Sequence, residues 1–340
     1  MRHCTALLTM PLLGMSLLIS GPSLAADEQN GPPRTPWGDP DLQGTWTNAT
    51  QTPLERPEAY GSQRAMSEEE AMDREAMAER RQEQSNRPSD PDRPPPQDGN
   101  TAAAYNTFWL DRGVTVAHID GEYRTSMIIE PEDGQIPYRE DRPLSLMHQW
   151  RGDNPDEFAG PEQATIGERC LLFYDFRTSN SSAGPPMMPM IYNNLYQIVQ
   201  TEEYVMIMAE MMHDARIIRL DDEHQPEAIH KWMGDSVGHW EGDTLVIETR
   251  NLHPQQSHFG SSSELVVTEE LTRASDGQIN YRFTMQDPDV YTQDWTAEMP
   301  FRARPDARIY EYACHEGNYA LPGILAGARR EEQDAASGQD

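Results

Sequence analysis

The chain has 340 residues and is strongly acidic, with a formal net charge of −30. Its one lysine is Lys231, and arginine supplies the remaining basic side chains apart from the histidines. This charge argues against nucleic acid and anionic membrane surfaces as partners, and it leaves Schiff-base chemistry a single candidate residue. The length suits one large domain.

Residues 1–26 are typical of a secretory signal peptide. Arg2 and His3 give a short basic start, and the apolar run 6–20 is too short to span a bilayer. A small-residue cleavage site ends at Ala25, so we expect a periplasmic or secreted protein. A membrane anchor is the alternative interpretation of this run, and no later segment of the sequence is long and apolar enough to span.

Residues 27–100 are predicted to form an N-terminal extension with little core of its own. A first short strand covers 41–47, and a helix covers 67–84. Ser67 begins a capping box, and acidic residues fill the first turn, as the helix dipole favours. The apolar residues of this helix are alanine and methionine, so we expect it to pack weakly at the periphery. A proline-rich linker, 86–100, follows it.

Residues 101–330 are dominated by short runs of Val, Ile, Tyr and Thr between turn residues, a pattern typical of antiparallel strands. The expected strands cover 123–130, 192–200, 204–210, 215–220, 238–241, 244–249, 264–272, 279–285 and 308–314. The strand–helix alternation of a parallel sheet is missing from the sequence, as is a glycine-rich phosphate loop. The sequence therefore predicts a mainly β protein, an antiparallel barrel or sandwich in a single domain.

The C-terminal residues are predicted to be helical and then solvated. A short helix is expected over 319–330, interrupted at Pro322 because proline lacks the backbone N–H that a helix interior needs. Residues 331–340 are expected to form a polar tail.

Three cysteines are present, and Cys4 is removed with the signal peptide. Two lone cysteines in an oxidising compartment most simply form one disulfide, here between Cys170 and Cys314. The alternatives are two buried free thiols, or Cys314 acting as a nucleophile beside His315.

Six motifs are distributed along the chain: Asp41–Trp46 (DLQGTW), Tyr105–Trp109 (YNTFW), Tyr192–Gln197 (YNNLYQ), His213–Arg216 (HDAR), Trp232–Thr244 (WMGDSVGHWEGDT) and Glu311–Tyr319 (EYACHEGNY). They resemble a broad family of exported bacterial proteins of uncharacterised function. This resemblance covers nearly all of the mature chain and implies export and one domain, but no activity. Gly44-Thr-Trp46 at the start of a first strand is also similar to the lipocalin and calycin barrels.

One half of a candidate site follows the apolar run that begins at Tyr204. Glu210, His213, Asp214 and Arg216 lie there, and such charges are costly to bury without partners. In an unbroken strand the two acids and the arginine share one face, and a bulge would turn the histidine towards them. Paired carboxylates suit acid–base catalysis, with the arginine binding an anionic group. They equally suit a buried ion network.

The other half of the candidate site follows Cys314. A disulfide would fix His315 and Glu316 and would bring Arg169 close to them. A fixed histidine beside a carboxylate and an arginine is a reasonable general base with an anion clamp. The alternative is a histidine that caps the terminal helix.

We expect His213 and His315 to face one cavity, with Tyr192 and Asn193 helping to bind a small molecule. A divalent metal such as zinc or iron would find nitrogen and oxygen ligands there. Neither a HExxH nor a Cys-x-x-Cys motif accompanies these residues in the sequence.

Three functions remain open on this basis. The first is an enzyme that acts on a small organic or glycan-derived substrate, as a lyase, isomerase or hydrolase. The second is a calycin-like carrier that catalyses nothing. The methionine-rich runs Met187–Met190 and Met206–Met212 are typical of core packing, and they could also line an adaptable apolar pocket. The third is a structural envelope protein. Asp235 and Ser236 are interpreted as turn residues. His253 and His258 are interpreted as part of a solvated loop, and the alternative is that this loop closes over a pocket.

Overall fold

The structure is a computed structural model that describes residues 32–88, 92, 110–143, 158–172, 184–253, 256 and 258–338. The predicted signal peptide 1–26, which includes Cys4, lies outside the described residues, as do the motif Tyr105–Trp109 and much of the predicted linker 86–100. The chain from Pro32 onward forms one compact unit.

Within the described residues the strands follow the alternation of apolar and polar side chains. In chain order they are β1 Gly44–Thr47, β2 Ala65–Met66, β3 His118–Ile119, β4 Glu122–Arg124, β5 Ile128–Glu130, β6 Leu195–Gln200, β7 Tyr204–Ala209, β8 Ala215–Leu220, β9 Asp235–Glu241, β10 Thr244–Arg250, β11 Val266–Ser275, β12 Gln278–Gln286 and β13 Trp295–Ala303. The α-helices are α1 Glu68–Ser85, α2 Cys314–Gly317 and α3 Ala320–Ser337.

Nine of these strands close into a barrel. The order around it is β1, β6, β7, β8, β9, β10, β11, β12 and β13, and β13 pairs again with β1. The pairing of β1 with β13 that closes the barrel is called the seam. It is short, because only Trp46 and Thr47 of β1 pair with the end of β13, while β5 pairs with the beginning of β13. This topology confirms the predicted mainly β, single-domain antiparallel fold. It also shows that the fold is a barrel rather than a sandwich.

One neighbouring pair in the barrel is parallel, that of β8 with β9. Strand directions alternate around a purely antiparallel ring, so an odd number of strands requires at least one parallel pair. The chain between the two strands, residues 221–234, must therefore return to the end of the barrel from which β8 started.

The barrel interior is filled by large side chains. Tyr281, Phe283, Trp295 and Phe301 are fully buried there with many aliphatic residues. One end of the interior is covered by Trp46, whose ring lies 5.4 Å from the Arg273 guanidinium carbon. At the other end, the ring of Phe259 packs edge-on against Trp295.

The predicted N-terminal helix is confirmed as α1, which begins one residue after Ser67. The Ser67 hydroxyl accepts a hydrogen bond from the Glu70 amide at 3.2 Å, as a helix cap does. Only Ala71 and Ala78 of this helix are buried, which agrees with weak packing at the periphery.

The expected strand over 308–314 is wrong. Residues 308–313 are irregular, and Cys314–Gly317 forms one helical turn. The amide of Tyr310 points to the Glu210 carboxylate rather than to a neighbouring strand. A strand that the sequence did not suggest, β13, instead completes the barrel, although it contains Pro300, which normally argues against a central strand.

A C-terminal helix is confirmed as α3, and its bounds differ from the expected ones. It continues past Arg330 to Ser337, into the expected tail, and it is not interrupted at Pro322. Pro322 is the third residue of the helix, where the first-turn N–H groups have no partner within the helix, so proline costs little.

Candidate functional site

The two segments that the sequence singled out meet in the structure. Cys170 and Cys314 form the predicted disulfide, with their Cα atoms 5.7 Å apart. Met211 and Met212, which lie between β7 and β8, pack against this disulfide together with Tyr192 and Tyr312. The residues that precede His213 and His315 in the chain, Met212 and Cys314, therefore belong to one small apolar cluster.

Glu210 is buried beside this cluster. Its carboxylate accepts a hydrogen bond from the Tyr310 amide at 3.4 Å, and it is also hydrogen-bonded to the Asn193 side chain and the Leu195 backbone. Burial raises the pKa of Glu210, and these hydrogen bonds partly offset the shift. Glu210, directly after the end of β7, is therefore hydrogen-bonded both to β6 and to the C-terminal segment.

His213 and Asp214 follow a tight turn instead of the expected bulge. The short 3-10 helix Met211–His213 contains two residues with positive φ, Met212 at 61° and His213 at 46°. The turn leaves the His213 side chain exposed and draws Asp214 inward, where its Oδ2 atom is buried without a hydrogen-bond partner among the described residues. Burial raises the pKa of Asp214 to about 7, and the nearby His213 lowers it in part.

Arg216 points into the barrel, away from exposed His213. Its guanidinium forks onto Glu269 of β11, with one contact, Nη2 to Oε1, at 2.9 Å. The Tyr281 hydroxyl donates to the same carboxylate at 2.7 Å and accepts from the Met187 amide at 3.0 Å. Arg216 therefore belongs to a buried ion network, which was the alternative interpretation of this segment, and its charge is paired with that of Glu269.

The other half of the candidate site comprises His315, Glu316 and Arg169. His315 and Glu316 are both exposed on the single turn of α2. The guanidinium carbon of Arg169 lies 6.0 Å from the ring of Trp232, which stacks on His253 at 3.9 Å. The sequence therefore placed Arg169 correctly next to the disulfide, but its described contact is with this aromatic pair.

Neither His253 nor His258 is a fully solvated side chain, since His253 is half-buried and His258 is buried. Burial, His230 and Arg169 lower the pKa of His253. His258 is fully buried near the end of the barrel, and burial lowers its pKa to about 3, so this imidazole is neutral. The sequence pattern gave no signal for this, because the loop is polar and carries a proline.

Asp235 is a buried ionic centre that the sequence interpretation missed. It opens β9 rather than a turn, and its fully buried carboxylate accepts from Arg219 at 2.9 Å and Lys231 at 2.8 Å. His224 lies between Asp235, at 3.2 Å from its Nδ1 atom, and Glu248, at 3.0 Å from its Nε2 atom. These contacts fasten the 221–234 connection to the barrel, beside a surface cleft of about 860 Å³ that includes His224.

A second cavity, of about 350 Å³, lies at the end of the barrel covered by Phe259 and is called the mouth cavity below. It is lined by Thr50, Gln51, Thr52, Pro53, Leu54, Arg112, Met127, Met188, Pro189, Met190, Ile191 and Phe259. The run Met187–Met190 is divided between two roles, since Met187 and Met188 are buried while Met188 and Met190 face the mouth cavity. The lining of the mouth cavity is mostly apolar, and Arg112 is its charged residue.

Among the described residues, no group of three or more His, Cys, Asp and Glu side chains is arranged to hold a metal ion. The same part of the chain includes no helix that is long and apolar enough to cross a membrane. Comparison with family models, with curated proteins and with solved structures found no match. Fold and site together define a nine-stranded β-barrel protein with a packed, partly ionic interior and a methionine-lined cavity at one end.

Proposed function

We propose that the protein is an exported β-barrel protein that binds a small, largely apolar molecule in the mouth cavity. One observation carries this proposal: a cavity of about 350 Å³ is lined by Met127, Met188, Met190 and Phe259. Ligand cavities in proteins are commonly apolar and span roughly 300–1,000 Å³. Export is supported by the N-terminal signal pattern and by the disulfide.

The methionine-rich lining suits a ligand of adaptable shape. Methionine side chains are unbranched and polarisable, so they can repack around ligands of different outline. The deeper interior is already filled by aromatic side chains, so a ligand would rest on the covered end of the barrel rather than within it. This arrangement favours the carrier function over the structural one.

The proposal is tested with N-phenylnaphthylamine, an uncharged probe whose fluorescence rises in apolar surroundings. We expect it to bind the purified protein, and Met190→Gln to weaken binding by about fivefold, because an amide replaces apolar surface in the cavity. Met72→Gln is the matched control, since Met72 lies exposed on α1 and does not line the cavity.

A failure of the probe to bind, or an equal effect of both glutamine variants, would argue against the mouth cavity as the site. The structural envelope function would then be preferred. Screening apolar compounds against the protein from its native compartment would identify the ligand class.

Asp214 favours a second candidate function, acid–base catalysis. A carboxyl group that keeps its proton near neutral pH can act as a proton donor, and exposed His213 lies next to it in the chain. The two residues border the disulfide cluster rather than the mouth cavity, so this function would require a separate substrate site.

The test is the pH dependence of folding in Asp214→Asn. The folded pKa of about 7 exceeds the unfolded value, so the folded state holds a proton that the unfolded chain releases. Stability is therefore lost as pH rises from about 4 to about 7. Asp214→Asn should remove this loss and raise the free energy of unfolding by about 1–2 kcal/mol at about pH 8, a value reduced because the side chain is partly exposed.

Urea unfolding at mildly acidic and mildly basic pH measures this effect. Asp276→Asn, a change in an exposed hairpin turn, is the control and should leave the pH profile as it is. Superimposable profiles of the wild type and Asp214→Asn would mean that Asp214 ionises normally, and the acid–base function would lose its support.

A further inference from the structure

The mouth cavity has a polar neighbour. A cavity of about 380 Å³ lies between the C-terminal end of α1 and the segment 110–113, and it is called the helix-end cavity below. It is lined by Gln51, Ala78, Arg81, Gln82, Gln84, Ser85, Asn86, Leu110, Arg112 and Gly113. Gln51 and Arg112 also line the mouth cavity, so the two cavities meet at these residues.

The two cavities differ in chemistry. The mouth cavity is lined mainly by methionine, proline, leucine, isoleucine and phenylalanine. The helix-end cavity is lined mainly by amides and hydroxyls, and its charged side chains are Arg81 and Arg112. In a chain with a net charge of −30, a cavity whose charged side chains are both arginines is a local exception.

The position of Arg112 is set by its neighbours. The Asp111 amide donates to the Ile191 carbonyl at 2.8 Å, and the Gln51 side chain donates to the Gly113 carbonyl at 2.6 Å. Gly113 has a φ of +66°, and a Cβ atom there would lie 2.6 Å from the backbone of Ala49. Only glycine permits this close approach, so the segment 110–113 is held against the chain that leaves β1, with Arg112 between the cavities.

We propose that the ligand of the mouth cavity is an amphiphile whose anionic group is bound by Arg112 and Arg81. This inference rests on the proposed function and adds the class of ligand to it. The apolar part of the ligand contacts Met188, Met190 and Phe259, and its carboxylate, sulfonate or phosphate group lies towards the helix-end cavity. Arginine suits this role because its planar fork of donors matches the oxygens of such groups.

The experiment compares two probes with related aromatic rings. Anilinonaphthalene sulfonate carries an anionic group, and N-phenylnaphthylamine is its uncharged counterpart. We expect the wild type to bind the sulfonate more tightly. Arg112→Gln should weaken the binding of the sulfonate by about fivefold to tenfold, as the loss of a charge-assisted contact does. It should change the binding of the uncharged probe by less than about twofold, because that probe makes no charge-assisted contact.

Arg81→Gln should act in the same direction with a smaller effect, and Arg80→Gln is the matched control. Arg80 precedes Arg81 on α1 and does not line either cavity. Raising the salt concentration should weaken the binding of the sulfonate alone.

The outcomes separate the two proposals. If the uncharged probe binds and Arg112→Gln leaves the sulfonate affinity unchanged, or Arg80→Gln lowers it equally, the anionic-ligand inference is overturned while the proposed function stands. If neither probe binds the wild type, the proposed function fails and this inference fails with it. A selective loss of sulfonate binding in Arg112→Gln supports both.

Discussion

The pair of Arg216 and Glu269 places two opposite charges inside an apolar barrel. Both side chains are almost fully buried, and Tyr281 adds a hydrogen bond to the carboxylate. Burying each ion costs several kcal/mol, which the forked contact offsets only while both partners are present. The pair therefore adds little net stability, although the loss of either partner alone is costly.

Replacing one partner of this pair should strongly destabilise the folded protein. Arg216→Met leaves the Glu269 carboxylate buried without its counter-charge, and we expect a loss of about 3–5 kcal/mol in the free energy of unfolding. The double variant Arg216→Met, Glu269→Met should recover most of that loss, because no buried charge remains. Urea denaturation of the wild type, the two single variants and the double variant measures the coupling. Additive losses would mean that the two side chains do not interact.

At the residue scale, the sequence predicted which side chains carry charge beside apolar strands but not which partners they meet. His213, Asp214 and Arg216 are adjacent in the chain, whereas Glu269 is 53 residues beyond Arg216, on β11. The alternation of a strand gives the face on which a side chain lies. It does not say which distant strand contributes the opposite side of a barrel interior. The disulfide was predictable, because two cysteines left one pairing.

Among the elements, the return from β8 to β9 is the most unusual connection. Parallel strands cannot be joined by a tight hairpin, and the connecting residues 221–234 form no regular strand or helix. Asp235 holds both ends of this connection, since it bonds Arg219 of β8 and Lys231 within the connection. The buried carboxylate of Asp235 thus links β8 to the connection that follows it.

Asp235→Ala should destabilise the barrel by about 3–5 kcal/mol at neutral pH, because Arg219 loses its buried partner. Hydrogen bonds from Arg219 and Lys231 outweigh the effect of burial and hold the pKa of Asp235 well below its usual range. This contribution is present above about pH 4 and is lost as pH falls towards the lower folded pKa. The difference in the free energy of unfolding between Asp235→Ala and the wild type should therefore become smaller at acidic pH.

Asp222→Ala is the matched control for this element. Asp222 also bonds Arg219, but its side chain is 52% exposed. We expect a much smaller loss of stability than for Asp235→Ala, because water screens an exposed ion pair. A loss of similar size in both variants, measured by urea denaturation, would contradict the assignment of Asp235 as the anchor.

Element prediction from the sequence succeeded where polar and apolar residues alternate and failed where that pattern is broken. The strands from β6 to β8 and from β10 to β12 begin and end close to the expected positions. The strand β13 was missed because Pro300 interrupts its pattern. The segment 308–313 reads as a strand by composition, yet β13 already pairs with β12 on one edge and with β5 and β1 on the other, so no free edge of β13 is left for it.

At the scale of the whole molecule, the disulfide joins the segment 158–172 to the C-terminal region. The bond closes a loop with a sequence separation of 144 residues. Chain-entropy arguments give about 5 kcal/mol for a loop of this length, which is an upper estimate. The C-terminal helix α3 has no buried residues, so its position depends strongly on this link and on a few hydrogen bonds.

Cys314→Ser should therefore lower the midpoint of thermal unfolding and make α3 sensitive to limited proteolysis. The double variant Cys170→Ser, Cys314→Ser should behave like the single variant, because either change removes the bond. Mass spectrometry of the proteolytic fragments locates the first cleavage. A barrel strand cut before α3 would show that the disulfide stabilises a different part of the molecule.

The sequence left barrel and sandwich open because closure depends on a single long-range pairing. The alternating runs predict antiparallel neighbours along the chain, and most of the barrel is built from such neighbours. Whether the sheet curls until its first and last strands meet is decided by β1 with β13, which no local pattern encodes.

That seam also has a consequence for the order of folding. Strands β9 to β13 follow one another as sequential neighbours, so they can pair as soon as they are synthesised. The first strand is made early, but its two neighbours in the ring are β6 and β13, and β13 is the last strand of the barrel. Long-range pairings of this kind form slowly, after the local ones. A chain built in this way cannot close its barrel until its final strand has been synthesised, so every shorter nascent chain exposes the unpaired edge of β1.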